Sequence, residues 1–181
     1  MTTPWREDPN LKGRFDPLYP DDLLVVVHEG GPQLSNRLPE IMWVRVLEKR
    51  RNSYLGTLLN HPHALETIDQ GDYISFMMAA GSRHPIRVTD KYLEERTGWD
   101  VKPCAQCGMS ELFDPPSELI HEIFNELPAN AWALGWFTSF CPVCGGFQVV
   151  SSKKISVVDE AGSKKPEKLT GRRKWWQFWK R

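Results

Sequence analysis

The chain lacks any long hydrophobic run. No stretch of its 181 residues approaches the ~18 apolar positions that cross a bilayer as a helix. Its opening, Met-Thr-Thr-Pro-Trp-Arg-Glu-Asp, has no apolar core of the kind a secretory leader needs. There is no glycine-rich phosphate loop of an established type, and no serine or cysteine stands in a nucleophile-elbow context. The adjacent acids Asp21-Asp22 and Glu94-Glu95 make poor acid/base pairs, because neighbouring side chains point apart on a helix or strand. Net charge is also missing, with 23 basic residues against 23 acidic ones. These absences weigh against a membrane span, a secreted protein and the familiar hydrolase arrangements. The expected compartment is the cytoplasm.

The zero net charge hides an uneven distribution. From Ser163 to Arg181 there are eight basic residues and one acid, so this segment carries +7. The other 15 basic and 22 acidic residues leave the body at −7. An acidic body argues against nucleic acid as its partner. The tail is a separate device.

Cysteine is scarce and concentrated. All four stand in two pairs, Cys104-Ala-Gln-Cys107-Gly and Cys141-Pro-Val-Cys144-Gly-Gly. Two intervening residues let both thiolates of a pair reach one ion from a single tight turn, and zinc takes four such ligands as a tetrahedron. Gly108 and Gly145 follow directly, where the turn leaves little room for a Cβ. A redox dithiol would open a helix in a βαβ setting, and a disulfide pair would require an oxidising compartment. Neither suits these pairs as well as one structural zinc held by Cys104, Cys107, Cys141 and Cys144. Over residues 102–151 the chain resembles a zinc ribbon, in which two CxxCG knuckles clamp a structural ion. The span between Cys107 and Cys141 exceeds the ~15–20 residues of a minimal four-cysteine site, so an insert is expected there.

Local patterns suggest several short elements. Residues 23–28, 41–47, 54–59, 73–78 and 86–88 read as strands, with Met42, Val44 and Val46 on one face and Trp43 and Arg45 on the other. Thr89 or Asp90 caps a short helix through Arg96, closed by Gly98. In the insert, Ser117 is placed as the N-cap of a helix whose apolar stripe runs Leu119, Ile120, Ile123, Phe124, Leu127, with Pro128 as its stop. Residues 132–140 and 147–150 read as strands on either side of the second knuckle. The expected fold is α+β: a small curled antiparallel sheet with few helices, joined to a zinc-ribbon-like unit with a helical insert. The expected division is 1–22 as an extended lead-in, 23–100 as the sheet domain, 101–158 as the zinc unit packed on it, and 159–181 as a disordered tail.

The lines Trp43-Val-Arg-Val46, Gly56-Thr-Leu-Leu-Asn60-His-Pro62 and Gly71-Asp-Tyr-Ile74-Ser-Phe76 resemble the YegJ-like domain of unknown function in bacteria. That resemblance covers residues 40–80. It implies a small α+β fold, with Gly56 and Gly71 at bends, Asn60 and Pro62 in a turn, and Trp43 and Phe76 in the core. It also implies a bacterial immunity or accessory protein.

Chemistry has few other candidates. His61 and His63 flank Pro62, and His121 shares the polar side of the insert helix with Glu122. Each is an open choice between an enzyme site and a solvated surface. The last residues, Arg172, Arg173, Lys174, Trp175, Trp176, Phe178, Trp179, Lys180 and Arg181, combine cations with aromatic rings. Such a segment can anchor to a partner protein, lie at an anionic membrane surface, bind single-stranded nucleic acid by stacking and phosphate contacts, or fold back on the acidic body. The reading that follows is a non-catalytic, zinc-stabilised binding protein, cytoplasmic and peripheral to the inner membrane if the tail binds lipid. A nucleic-acid-associated zinc ribbon and a histidine enzyme are the alternatives.

Overall fold

The computed structural model describes residues 3–124 and 135–153. Among the described residues eight strands and two helices follow in the order β1 (Asp22–Val27), β2 (Glu40–Lys49), β3 (Tyr54–Leu58), β4 (Tyr73–Met77), β5 (Ile86–Val88), α1 (Asp90–Arg96), β6 (Trp99–Val101), α2 (Pro116–Ile123), β7 (Trp136–Phe140) and β8 (Phe147–Ser152). Strands β1 to β5 close a barrel, and β6, β8 and β7 form a second sheet in that order. The fold is α+β and mostly sheet.

Alternation builds the barrel. Leu23, Val25 and Val27 of β1, Met42, Val44 and Val46 of β2, and Ile74 and Phe76 of β4 point inward and are almost wholly buried. The period-two pattern sends their neighbours outward. Trp43 is therefore on the outer face and 38% exposed, not in the core. Gly56 is not at a bend. It pairs with Val46 inside β3, beside a register shift between Val46 and Glu48, and a Cβ there would meet Val44 Cγ1 at 2.4 Å and the Arg45 carbonyl at 2.8 Å. The glycine allows two strands to close in at the bulge. Gly71 does turn the chain, with φ of 92°.

Closure of the barrel is parallel. Val26 of β1 pairs with Ile86 of β5, and the Val26 N–H donates to the Pro85 carbonyl at 2.8 Å. The remaining neighbours are antiparallel. Residues 3–21 run as successive turns rather than as an extended strand, and they bring Leu11 into the barrel core with Trp5 and Phe15 partly buried against it. Asp21 holds this segment by accepting from Trp5 Nε1 at 2.8 Å and from Arg6 at 2.8 and 2.7 Å.

The second core lies between the barrel wall and the small sheet. Ala79, Ile86 and Val88 from the barrel side meet Tyr92, Trp99, Val101, Met109, Leu112, Phe113, Phe137 and Val150. Strand β6 is too short to show a period, and it pairs Val101 with Val150. Helix α1 is capped by Thr89, whose hydroxyl accepts from the Tyr92 N–H, but it ends at Thr97 rather than Gly98. Helix α2 starts two residues earlier than its serine suggests. Pro115 is the N-cap and Pro116 takes the first turn, where a missing N–H costs nothing. Ser117 instead bonds Glu95, through its N–H at 2.8 Å and its hydroxyl at 2.5 Å, tying α2 to α1. The helix ends at Phe124, whose φ of −127° leaves the helical region. Leu127, Pro128 and Trp132 lie outside the described residues.

One buried polar group braces this core. Glu111, 6% exposed, accepts from Arg96 Nε at 2.6 Å and from Arg96 Nη2 at 3.0 Å, and also from the Tyr92 hydroxyl. Both carboxylate oxygens are thus satisfied, the condition under which a buried ion pair is tolerated. Removing it leaves Arg96 and Tyr92 without their acceptor. Glu111→Ala is expected to cost ~3 kcal/mol of unfolding free energy in urea melts, while a loss below ~1 kcal/mol would contradict this role.

Candidate metal centre

The two knuckles repeat one backbone pattern. In the first, the Gly108 N–H donates to the Cys104 carbonyl at 2.8 Å, and the Cys104 N–H donates to the Met109 carbonyl at 2.9 Å. In the second, the Gly145 N–H donates to the Cys141 carbonyl at 2.9 Å, and the Cys141 N–H donates to the Gly146 carbonyl at 2.5 Å. Gly108 and Gly145 have φ of 76° and 72°, the left-handed region that only glycine enters freely. The residues that follow a first cysteine by two and three positions point their N–H groups at its sulfur, Gln106 and Cys107 at Cys104, Val143 and Cys144 at Cys141.

The small sheet brings the knuckles together. The first follows β6 and the second joins β7 to β8, so both lie at one end of the three strands. The four sulfurs all lie within 4.8 Å of one another. Cys104 and Cys144 are 3.5 Å apart, as are Cys107 and Cys141. These separations are too long for a disulfide, whose sulfurs sit ~2.05 Å apart. They suit a tetrahedron with Zn–S bonds of ~2.3 Å, whose edges are ~3.8 Å. The donor set therefore fits a metal ion. Cys104 and Cys141 are buried, Cys107 is half-buried and Cys144 is exposed.

Backbone and burial pull the thiols in opposite directions. The N–H groups of Cys107 and Gln106 bring Cys104 down to about 7. Burial pushes Cys141 up to about 12. Crowded thiolates repel, and a divalent cation among them removes that cost. The packing is tight enough to exclude a side chain, since a Cβ on Gly146 would approach Cys104 Sγ to 3.1 Å. Gln148, 1% exposed, braces the first knuckle by donating from Nε2 to the Met109 carbonyl at 2.8 Å.

The centre also sits against the barrel. The turn after β4 presses on the first knuckle so closely that a Cβ on Gly81 would lie 2.2 Å from the Gly108 carbonyl carbon. The Ser110 N–H donates to the Ala80 carbonyl at 3.1 Å. The loop after β1 touches the other side. There Gly31 donates to Asp114 Oδ2 at 2.7 Å, and Ser139 bonds Gln33 Oε1 at 2.5 Å.

This last contact creates a site that sequence reasoning missed. Gly30 and Gly31 close around Asp114, and a Cβ on either would meet a carboxylate oxygen at 2.9 Å. Asp114 is 6% exposed, and burial pushes its carboxyl up to about 6. Beside it His28 is wholly buried and stacks on Phe113, with ring centroids 3.8 Å apart. Its Nδ1 accepts from the Gly30 N–H at 3.1 Å, which places the proton on Nε2, donating to the Arg87 carbonyl at 2.8 Å. Burial keeps this imidazole neutral by lowering it to about 3. With Glu29 and Arg87 these groups line a cleft of about 370 Å³ at the barrel mouth. Only the Glu29-Gly30-Gly31-Pro32 punctuation hinted at a special backbone here.

The histidines singled out from sequence are elsewhere. His61 bonds Asp69 at 2.7 Å, with the two side chains 72% and 68% exposed. His63 contributes its backbone. Its N–H and that of Ala64 donate to the Glu40 carboxylate, which they hold below the usual range. His121 is exposed on α2. The tail residues Arg172 to Arg181 lie outside the described residues. Among the described residues no helix is long and apolar enough to cross a membrane.

The class defined here is a small barrel carrying a four-cysteine centre on an appended sheet. The chain matches no protein-family model, and no curated protein or solved structure is significantly similar to it. The likeness of residues 40–80 to the YegJ-like domain thus rests on the quoted motifs alone.

Asp114 gives a pH signature. A carboxyl that holds its proton to about pH 6 in the fold, but only to ~3.9 when unfolded, contributes stability that is present below ~pH 4 and fades as pH rises through 6. Asparagine can keep the acceptor for Gly31 without the charge. Asp114→Asn is expected to gain up to ~2 kcal/mol on wild type between pH 4 and 7. Urea melts at several pH values measure it, and parallel pH profiles would contradict it.

Proposed function

We propose that this chain is a non-catalytic binding protein whose contact surface is held rigid by one structural zinc ion. The observation that carries the reading is the closed set of four sulfur donors, Cys104, Cys107, Cys141 and Cys144. Soft thiolates in a tetrahedron suit zinc, and four protein ligands leave no position for a substrate or an activated water. Iron can occupy the same donors, so the metal's identity is a matter for measurement.

The surface that supports binding is the outer face of the β7–β8 hairpin. Trp136 is 65% exposed and Phe147 67%, and Phe140 and Val149 stand on the same face. Strand register places Phe140 opposite Phe147, with ring centroids 5.3 Å apart. A contiguous aromatic face beside a charged body marks a protein contact. The tail, residues 172–181, adds a second attachment point for a partner protein or an anionic membrane surface. In its sharper form the reading is a bacterial immunity or accessory protein in the cytoplasm, whose acidic body covers a basic surface. Motif likeness and charge support that form.

Metal analysis of the purified chain is expected to give about one zinc per chain. Cys107→Ser is expected to lower the occupancy. A chain that holds iron, or no metal at all, would sink the structural-zinc reading. For the partner, affinity capture from the native host is expected to enrich one protein, lost on Trp136→Ala with Phe147→Ala or on removal of residues 172–181. Capture unaffected by both changes would refute the assigned surfaces.

A further inference from the structure

A cleft of about 530 Å³ lies away from the metal, between the β2–β3 turn, the end of β4 and helix α1. Its charge is opposite to that of the body around it. Lys49, Arg50, Arg51, Arg96 and Lys153 line it, against only two acids, Asp8 and Glu111.

Both acids are already used. Asp8 is 4% exposed and takes Lys49 at 2.7 Å, while Glu111 takes Arg96 and the Tyr92 hydroxyl. Arg50 spends Nε on Glu48 at 3.4 Å and Nη1 on Ser75 at 3.3 Å. Lys153 Nζ donates to the Thr97 carbonyl at 3.2 Å and is attracted by Asp100. Arg51 has no hydrogen bond or ion pair among the described residues and stands exposed at the rim. Among the described residues Arg51 is therefore left without a carboxylate, and Lys153 has only the longer-range attraction of Asp100. Both line a mostly polar cleft whose apolar part is formed by Tyr54, Met77, Met78 and Leu93.

We propose that this cleft binds a small organic phosphate, a phosphate monoester on a flat apolar group. Arg51 and Lys153 would meet the phosphate, the first by a bidentate fork and the second as a point charge. The methionines and Leu93 would take the organic part, since thioethers adapt to irregular shapes and make favourable contacts with aromatic rings. The volume lies within the ~300–1,000 Å³ of small-molecule sites. Six separate segments supply the lining, so occupancy would also stiffen the joint between barrel and small sheet.

Phenyl phosphate and inorganic phosphate, titrated to about 10 mM against the full-length metal-loaded chain, test this by amide shifts near Ser53 and Met78. Phenyl phosphate is expected to bind at least ~10-fold more tightly than inorganic phosphate. Arg51→Ala with Lys153→Ala, both exposed positions, is expected to weaken it ~10-fold or more with an unchanged melting temperature. Lys91→Ala, outside the cleft, is expected to leave it unchanged. No shifts by about 10 mM, equal affinity for the two probes, or a double variant that binds like wild type would each overturn the proposal.

Discussion

Everything in this molecule depends on how closely two backbone turns approach. The turn at Gly81 lies against the knuckle at Gly108 with no space for even one methyl group between them. The knuckle can hold that shape only because Gly108 is left-handed and its cysteine sulfurs converge on one point. The barrel supplies one side of this contact and the sulfur cluster the other. The barrel-side residues Ala79, Ile86 and Val88 are buried in the same core as Cys104 and Cys141. A metal at the four thiols would thus be a fastener at a seam, with an influence extending well beyond its ligands.

From that fastener the surface follows. Strands β7 and β8 bury Phe137, Gln148 and Val150 on one side, which commits Trp136, Phe140, Phe147 and Val149 to the other. Alternation leaves no choice once the inner face is fixed. The aromatic face is therefore a consequence of holding the hairpin in place. The same seam aligns α1 with the β2–β3 turn, so that Arg96 and Lys153 come to share a cleft with Arg50 and Arg51.

Much of this was legible in the residues. The four-cysteine spacing read correctly as one cluster, and alternation found the five barrel strands to within two residues at their ends. What escaped has physical reasons. Parallel closure rests on one pair, Val26 with Ile86, sixty residues apart and without a local pattern. Strand β6 has three residues, too few for a period. Ser117 looked like a cap because serine so often is one, yet a tertiary acceptor, Glu95, claimed its hydroxyl. Gly56 looked like a bend, whereas its meaning is the proximity of Val44 across the bulge. The Asp114 clasp joins residues 83 positions apart, and the cationic cleft draws on six segments, so neither could appear in a linear pattern.

The central claim is that the sulfur centre locks the two sheets to each other. Amide hydrogen exchange with the metal bound and after chelation tests it most directly. The account predicts that chelation strips protection from residues 99–112 and 136–152 and also from the Ala79–Ser82 turn, with the β2–β3 pair keeping most of its own. Protection that is the same with and without metal, or a loss confined to the two knuckles, would contradict it.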